Sequence, residues 1–216
     1  MSRLGVGLSV VLVVLIILFV GGCGMVVDVW NTLNRNYQGV RGAKSHYSAA
    51  LSTVPQKIEG VWTINQQYMD HESKTFKDYA AMRSAVHPAI QEFQSAVASG
   101  KLSESDQVKA AQGIQKKLGE MNNAWLNIKA TAESNPQLRA AETSQHAMQT
   151  MEEGVNECKT ALDDWIASIR TYNTYRGNAW PSIAGSFMAK FPAEIQYYEG
   201  EVKKLDVKSL NPAKHQ

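Results

Sequence analysis

A chain of 216 residues is long enough for one domain with a real core plus an appendage. Its net charge is +2 with acids and bases interspersed, so no basic patch marks a nucleic-acid partner. Two cysteines, Cys23 and Cys158, are too few for a disulfide framework, and Cys23 sits in or beside an apolar N-terminal run.

That run opens the chain. Leu4 to Val20 carry no charge, and the apolar character continues more weakly through Gly21-Gly22-Cys23-Gly24 to Val27. Counted to Val27, a helix spans a hydrocarbon core of about 30 Å. Val20-Gly21-Gly22-Cys23 also looks like a bacterial lipobox, with Cys23 as the lipidation site after cleavage. Two tethers therefore stay open, a retained single-pass helix or a lipid on Cys23. A simple cleaved signal with free release is the third outcome. Both tethers place the bulk of the chain on the non-cytoplasmic side, although Arg35, Arg41 and Lys44 follow the segment closely.

Beyond the run, Trp30, Leu33, Tyr37, Val40, Lys44, Tyr47 and Leu51 step by 3 and 4, which predicts a first helix continuous with the apolar segment. Ser52-Thr53-Val54-Pro55 reads as a turn, with a capping hydroxyl and then a proline at a helix start. A second helix is predicted from Pro55 to about Val86. Its seam holds the polar residues Asn65, Glu72 and Arg83. A hairpin about residue 53 sets Glu72 opposite Arg35. His87-Pro88 interrupts the pattern, and a short helix resumes to about Ala98 before Gly100.

Ser103-Glu104-Ser105-Asp106 is a helix N-terminal signal. The third helix follows to about Ser134, with the stripe Val108, Ala111, Ile114, Leu118, Met121, Trp125 and Ile128. The fourth, from Asn135-Pro136 to Tyr175, has the longest seam: Met148, Met151, Val155, Cys158, Leu162, Trp165, Ile169 and Tyr172. Such a seam demands partner helices. Gly177 and Pro181 end it. Trp180, Ile183, Ala184, Phe187, Met188 and Phe191 then share one face of a short amphipathic segment. It either closes the base of the bundle or lies in the lipid interface. The expected architecture is all-α, an antiparallel up-down bundle of about four long helices with an N-terminal membrane helix. Residues 1–27 form the anchor, 28–199 the bundle and 200–216 a flexible tail.

These segments, in this order, resemble the LemA family of small membrane-tethered bacterial proteins. The residues that carry the resemblance are Gly22-Cys23-Gly24, Pro55-Gln56-Lys57-Ile58-Glu59-Gly60-Val61, and His71-Glu72 with Thr75, Tyr79 and Arg83. Tyr172-Asn173-Thr174, Trp180-Pro181, Ile183-Ala184-Gly185 and Phe187 continue it. Val155, Leu162 and Lys44 depart from the family's acid, arginine and tryptophan. The resemblance implies a helical bundle outside the cytoplasmic membrane and no established reaction.

No catalytic constellation is visible. His71-Glu72 lacks a second histidine four residues on, so the zinc-protease helix motif is absent. The five histidines show no ligand spacing, and no cofactor or metal is expected. Asn173 reads as a residue that binds backbone near a helix terminus. The expected function is that of an interaction or scaffold module at the cell envelope, not an enzyme. Its partners are membrane lipid through the N-terminus and an unidentified envelope protein, with the oligomeric state open. The alternative is an enzyme or small-ligand site between helices around Glu72, Arg83 and His71.

Overall fold

The computed structural model describes residues 3–68, 74–134, 142–186 and 190–197. They form five helices and no strand: α1 (Arg3–Tyr68), α2 (Lys74–Ala98), α3 (Glu104–Ser134), α4 (Glu142–Arg176) and α5 (Ala179–Ser186). The chain is all-α. The predicted tail, residues 200–216, lies outside the described residues.

Two proline positions overturn the expected boundaries. Pro55 lies inside α1, which runs 66 residues without a break, so there is no turn at Ser52-Thr53-Val54-Pro55 and no hairpin about residue 53. The hydroxyls read as caps instead bond back along the helix, Ser52 Oγ to the Ala49 carbonyl and Thr53 Oγ1 to the Ala50 carbonyl. A proline in a helix interior costs about 3 kcal/mol. Leu51, Val54, Ile58 and Val61 flank it, all essentially fully buried. At about 1.5–3 kcal/mol for each large apolar side chain, their stripe outweighs the loss. Pro88 likewise lies inside α2, flanked by buried Val86, Ile90 and Phe93.

The glycine and serine signals hold. Gly100 adopts φ +62°, and its N–H bonds to the Val97 carbonyl at the end of α2. Ser103 Oγ accepts the Asp106 N–H at 3.2 Å and caps α3.

The chain divides into two compact units, and α1 and α4 contribute to both. The larger comprises Gly42–Ile166 and Gln196–Gln216. Its core draws on four helices: Tyr47, Leu51, Val54 and Ile58 of α1; Tyr79, Val86, Ile90 and Phe93 of α2; Val108, Ala111, Ile114 and Leu118 of α3; Val155, Cys158, Leu162 and Trp165 of α4. Tyr47 touches all three partners of α1. Its ring lies 5.9 Å from Phe93 and 5.8 Å from Trp165, and its hydroxyl donates to the Ala111 carbonyl at 3.2 Å. Along α1, partners on α2 descend in number, from Phe93 at Tyr47 to Arg83 at Glu59. Partners on α3 rise, from Glu104 at Lys44 to Ala111 at Tyr47. Partners on α4 descend, from Trp165 at Tyr47 to Glu157 at Lys57.

The second unit comprises Met1–Arg41 and Ala167–Ile195. Leu33 and Val40 of α1, Ile169 and Tyr172 of α4, and Phe191 and Ile195 beyond α5 are buried. Toward the N-terminus of α1 the large side chains emerge, with Leu12–Ile16 and Met25–Val27 all about half or more exposed. By length and composition, α1 alone among the described helices is long and apolar enough to cross a membrane.

Candidate functional site

Two polar clusters hold the residues of interest, one in each unit. In the larger unit, Glu59 of α1 faces Arg83 of α2. Arg83 donates from Nε to Oε1 at 2.7 Å and from Nη2 to Oε2 at 2.8 Å, a bidentate pair. The Arg83 guanidinium lies 5.0 Å from the Trp62 ring centroid, and Trp62 stacks on Tyr79 with centroids 6.1 Å apart. His87 Nδ1 is 3.6 Å from Glu59 Oε1. The Arg83 hydrogen bonds hold the Glu59 carboxyl below its ordinary range and raise the guanidinium in turn. Both side chains are about one third exposed, so the pair is a screened surface contact. Beneath it, Tyr79 donates its hydroxyl to the Ile58 carbonyl at 2.9 Å, and burial pushes its pKa up.

Arg83 therefore lies at the edge of the seam, engaged by Glu59. Asn65, His71 and Glu72 lie outside the residues whose side chains the structure describes. Glu59 stands in the Pro55–Val61 motif, yet sequence reasoning gave it no role. With the reversal placed at residue 53, Glu59 could not face Arg83; with α1 running on to Tyr68 and α2 starting at Lys74, the two fall opposite. Cys158 is a buried core residue whose thiol burial pushes up to about 12. Cys23 is exposed on α1.

The second cluster gathers four motif residues that are scattered in sequence. Tyr172 donates its hydroxyl to the Pro192 carbonyl, and burial pushes its pKa up to about 12. Asn173 Nδ2 donates to the Ile195 carbonyl at 2.9 Å, and the Ile195 N–H donates to Asn173 Oδ1 at 3.1 Å. One amide thus satisfies both backbone groups of one residue, as a neighbouring strand would. The expected backbone-binding role of Asn173 is met on a remote segment, not at the helix end. There the Gly177 N–H bonds to the Asn173 carbonyl at 2.8 Å.

Arg176, in the last turn of α4, was not singled out from sequence. Its signal is a cation where the helix dipole favours one. It is 6 % exposed and donates from Nη1 to the carbonyls of Pro181 at 3.1 Å and Ser182 at 3.0 Å. Its Nε has no acceptor among the described residues. Gly185 leaves room for this guanidinium, because a Cβ there would lie 2.7 Å from both Arg176 Cζ and Nε.

Pro181 and Gly185 are thus the inward positions of α5 and are buried, while Trp180 and Ile183 are 69 % and 56 % exposed. Trp180 and Ile183 share a face, as expected, and it is the exposed one. Phe191 does not share it, since α5 spans Ala179–Ser186 and Phe191 is buried against Trp30 and Tyr37. Hydrogen bonding of the Arg176 guanidinium to α5 carbonyls needs a side without bulk, and Gly185 supplies it.

No group of three His, Cys, Asp or Glu among the described residues is placed to hold a metal. The model of the LemA family matches residues 40–208. The chain belongs to the LemA family. No curated protein and no solved structure matches it. The LemA match takes in both polar clusters and begins after Gly22-Cys23-Gly24 and the apolar run.

Proposed function

We propose that this LemA protein is a membrane-tethered scaffold, an up-down four-helix bundle carried by α1 outside the cytoplasmic membrane, whose helical faces dock envelope proteins. One observation carries the proposal. The apolar run lies on α1, which also supplies the first helix of the bundle, so an anchor in residues 12–27 tethers the bundle by the chain itself. The tether is taken as a retained span of α1, and a lipid on Cys23 would hold the same bundle.

The polar residues support a binding surface over a reaction centre. Arg83 is neutralised by Glu59, and Asn173, Tyr172 and Arg176 are engaged with backbone. Each has a structural partner, which leaves few convergent groups for catalysis. The test is photo-crosslinking in native membranes from exposed positions Gln91 on α2 and Lys116 on α3. Discrete adducts with envelope proteins are expected. A chemical activity of the purified chain that Arg83→Ala abolishes while helicity is kept, with no adducts, would overturn the proposal.

A further inference from the structure

The α5 segment presents the wrong side to the protein for a helix that merely closes a core. Its small residues, Pro181 and Gly185, face in, and its largest apolar residues, Trp180 and Ile183, face out. Two exposed residues three apart lie on one helical face. The arrangement is held from several points. Arg176 grips the Pro181 and Ser182 carbonyls, Tyr172 binds the Pro192 carbonyl, and Asn173 clamps Ile195. Turning Trp180 inward would break the Arg176 bonds and drive a bulky side chain toward the space only Gly185 leaves.

The register of this unit on α1 says what covers that face. Phe191 packs edge-on against Trp30 with ring centroids 5.1 Å apart, and Lys190 Nζ lies 5.7 Å from the Trp30 centroid. Trp30 follows Val27, the end of the exposed apolar run, by three residues, about 4.5 Å of helix rise. The headgroup layer on each side of a bilayer is roughly 5–8 Å thick. A tryptophan with a lysine beside it is the side-chain chemistry that settles at that depth, ring in the boundary and ammonium toward phosphate.

We propose that the Trp180–Ile183 face of α5 is seated in the interfacial layer of the bilayer that α1 enters, so that the chain holds its membrane at two points. The proposal rests on the membrane tether of α1 and adds a second, peripheral contact to it. Lipid is the occupant because Lys190 and Phe191, which follow α5, sit against Trp30, one turn past the exposed apolar run of α1.

The test uses the full chain with Cys23→Ser, leaving buried Cys158 in place. It is reconstituted in vesicles of phosphatidylethanolamine with a minority of phosphatidylglycerol. Nitroxide labels are placed one at a time at Ile183→Cys, Trp180→Cys, Val14→Cys in the apolar run and Gln91→Cys on α2. Accessibility to oxygen and to a water-soluble nickel complex is then compared. The expected result is a severalfold higher oxygen-to-nickel ratio at Ile183→Cys and Trp180→Cys than at Gln91→Cys, and a still higher one at Val14→Cys. Water-like ratios at both α5 positions with a lipid-like Val14→Cys would overturn the second contact and leave the tether standing. A water-like Val14→Cys would remove the tether and the second contact with it. Dipolar broadening at Ile183→Cys, relieved by dilution with unlabelled protein, would assign the face to a second copy and overturn the lipid assignment.

Discussion

Asn173 closes two hydrogen bonds on Ile195, giving its Nδ2 proton to the carbonyl at 2.9 Å and taking the backbone N–H on Oδ1 at 3.1 Å. Truncation strands both groups of Ile195 at a site where Ile195 itself is buried. Leaving buried donors and acceptors unmet costs about 1–3 kcal/mol. Asn173→Ala is expected to lower the urea midpoint accordingly and to release the segment after α5 first. Hydrogen exchange should show lost protection at the Ile195 amide, with the core of α2 and α3 unchanged.

Gly185 and Gly60 make a contrasting pair. A methyl at Gly185 meets the Arg176 guanidinium, which is buried and bonded to two carbonyls and has little freedom to move aside. Gly185→Ala is expected to destabilise by about 1–3 kcal/mol, in the range of overpacking a tight site. Gly60 lies within α1 with open space around it. Gly60→Ala should stabilise by about 0.5–1 kcal/mol through the reduced freedom of the unfolded chain. Thermal denaturation of the two variants should therefore move in opposite directions.

Pro88 sits exposed inside α2 and deprives a carbonyl of its donor. Pro88→Ala is expected to raise stability by up to about 3 kcal/mol, with helicity by circular dichroism unchanged or higher. A fall in stability would show that the Pro88 ring contributes more than the lost hydrogen bond costs.

Glu59 gives a pH signature. Its carboxyl titrates below its ordinary value of 4.5 in the folded chain because Arg83 hydrogen-bonds to it. The unfolded state then binds the proton more readily. The pair's contribution is present above the ordinary value and is lost as pH falls through the lowered one. Partial exposure keeps the contribution modest. Wild type should exceed Glu59→Gln in urea midpoint at neutral pH, and the gap should shrink toward zero in acid. A gap that persists unchanged at low pH would show that the pair acts through packing on Trp62.

The heptad-like seams were the legible part of the fold. Met151, Val155, Cys158, Leu162, Trp165, Ile169 and Tyr172 are all buried at the spacing that predicts it, and so are Val108, Ala111, Ile114 and Leu118. Periodicity reports which face is covered, and coverage dominates the energy. The boundaries were less legible, because a proline reports only a local cost. At Pro55 and Pro88 the buried stripe on either side exceeds that cost, and the helix continues. Misplacing one reversal moved every pairing between α1 and α2, which hid the Glu59–Arg83 contact. The C-terminal latch was half legible. Tyr172, Asn173, Pro181 and Gly185 stood out as a set, but nothing in their spacing showed that Arg176 would turn α5 with its small residues inward.

The most direct check of the tethered bundle is alkaline carbonate extraction of bacterial membranes carrying the full chain. Retention of the chain in the pellet is expected, since α1 carries exposed apolar side chains over residues 12–16 and 25–27 and no other part of the described fold covers them. Recovery of the intact, helical chain in the carbonate supernatant would contradict the account.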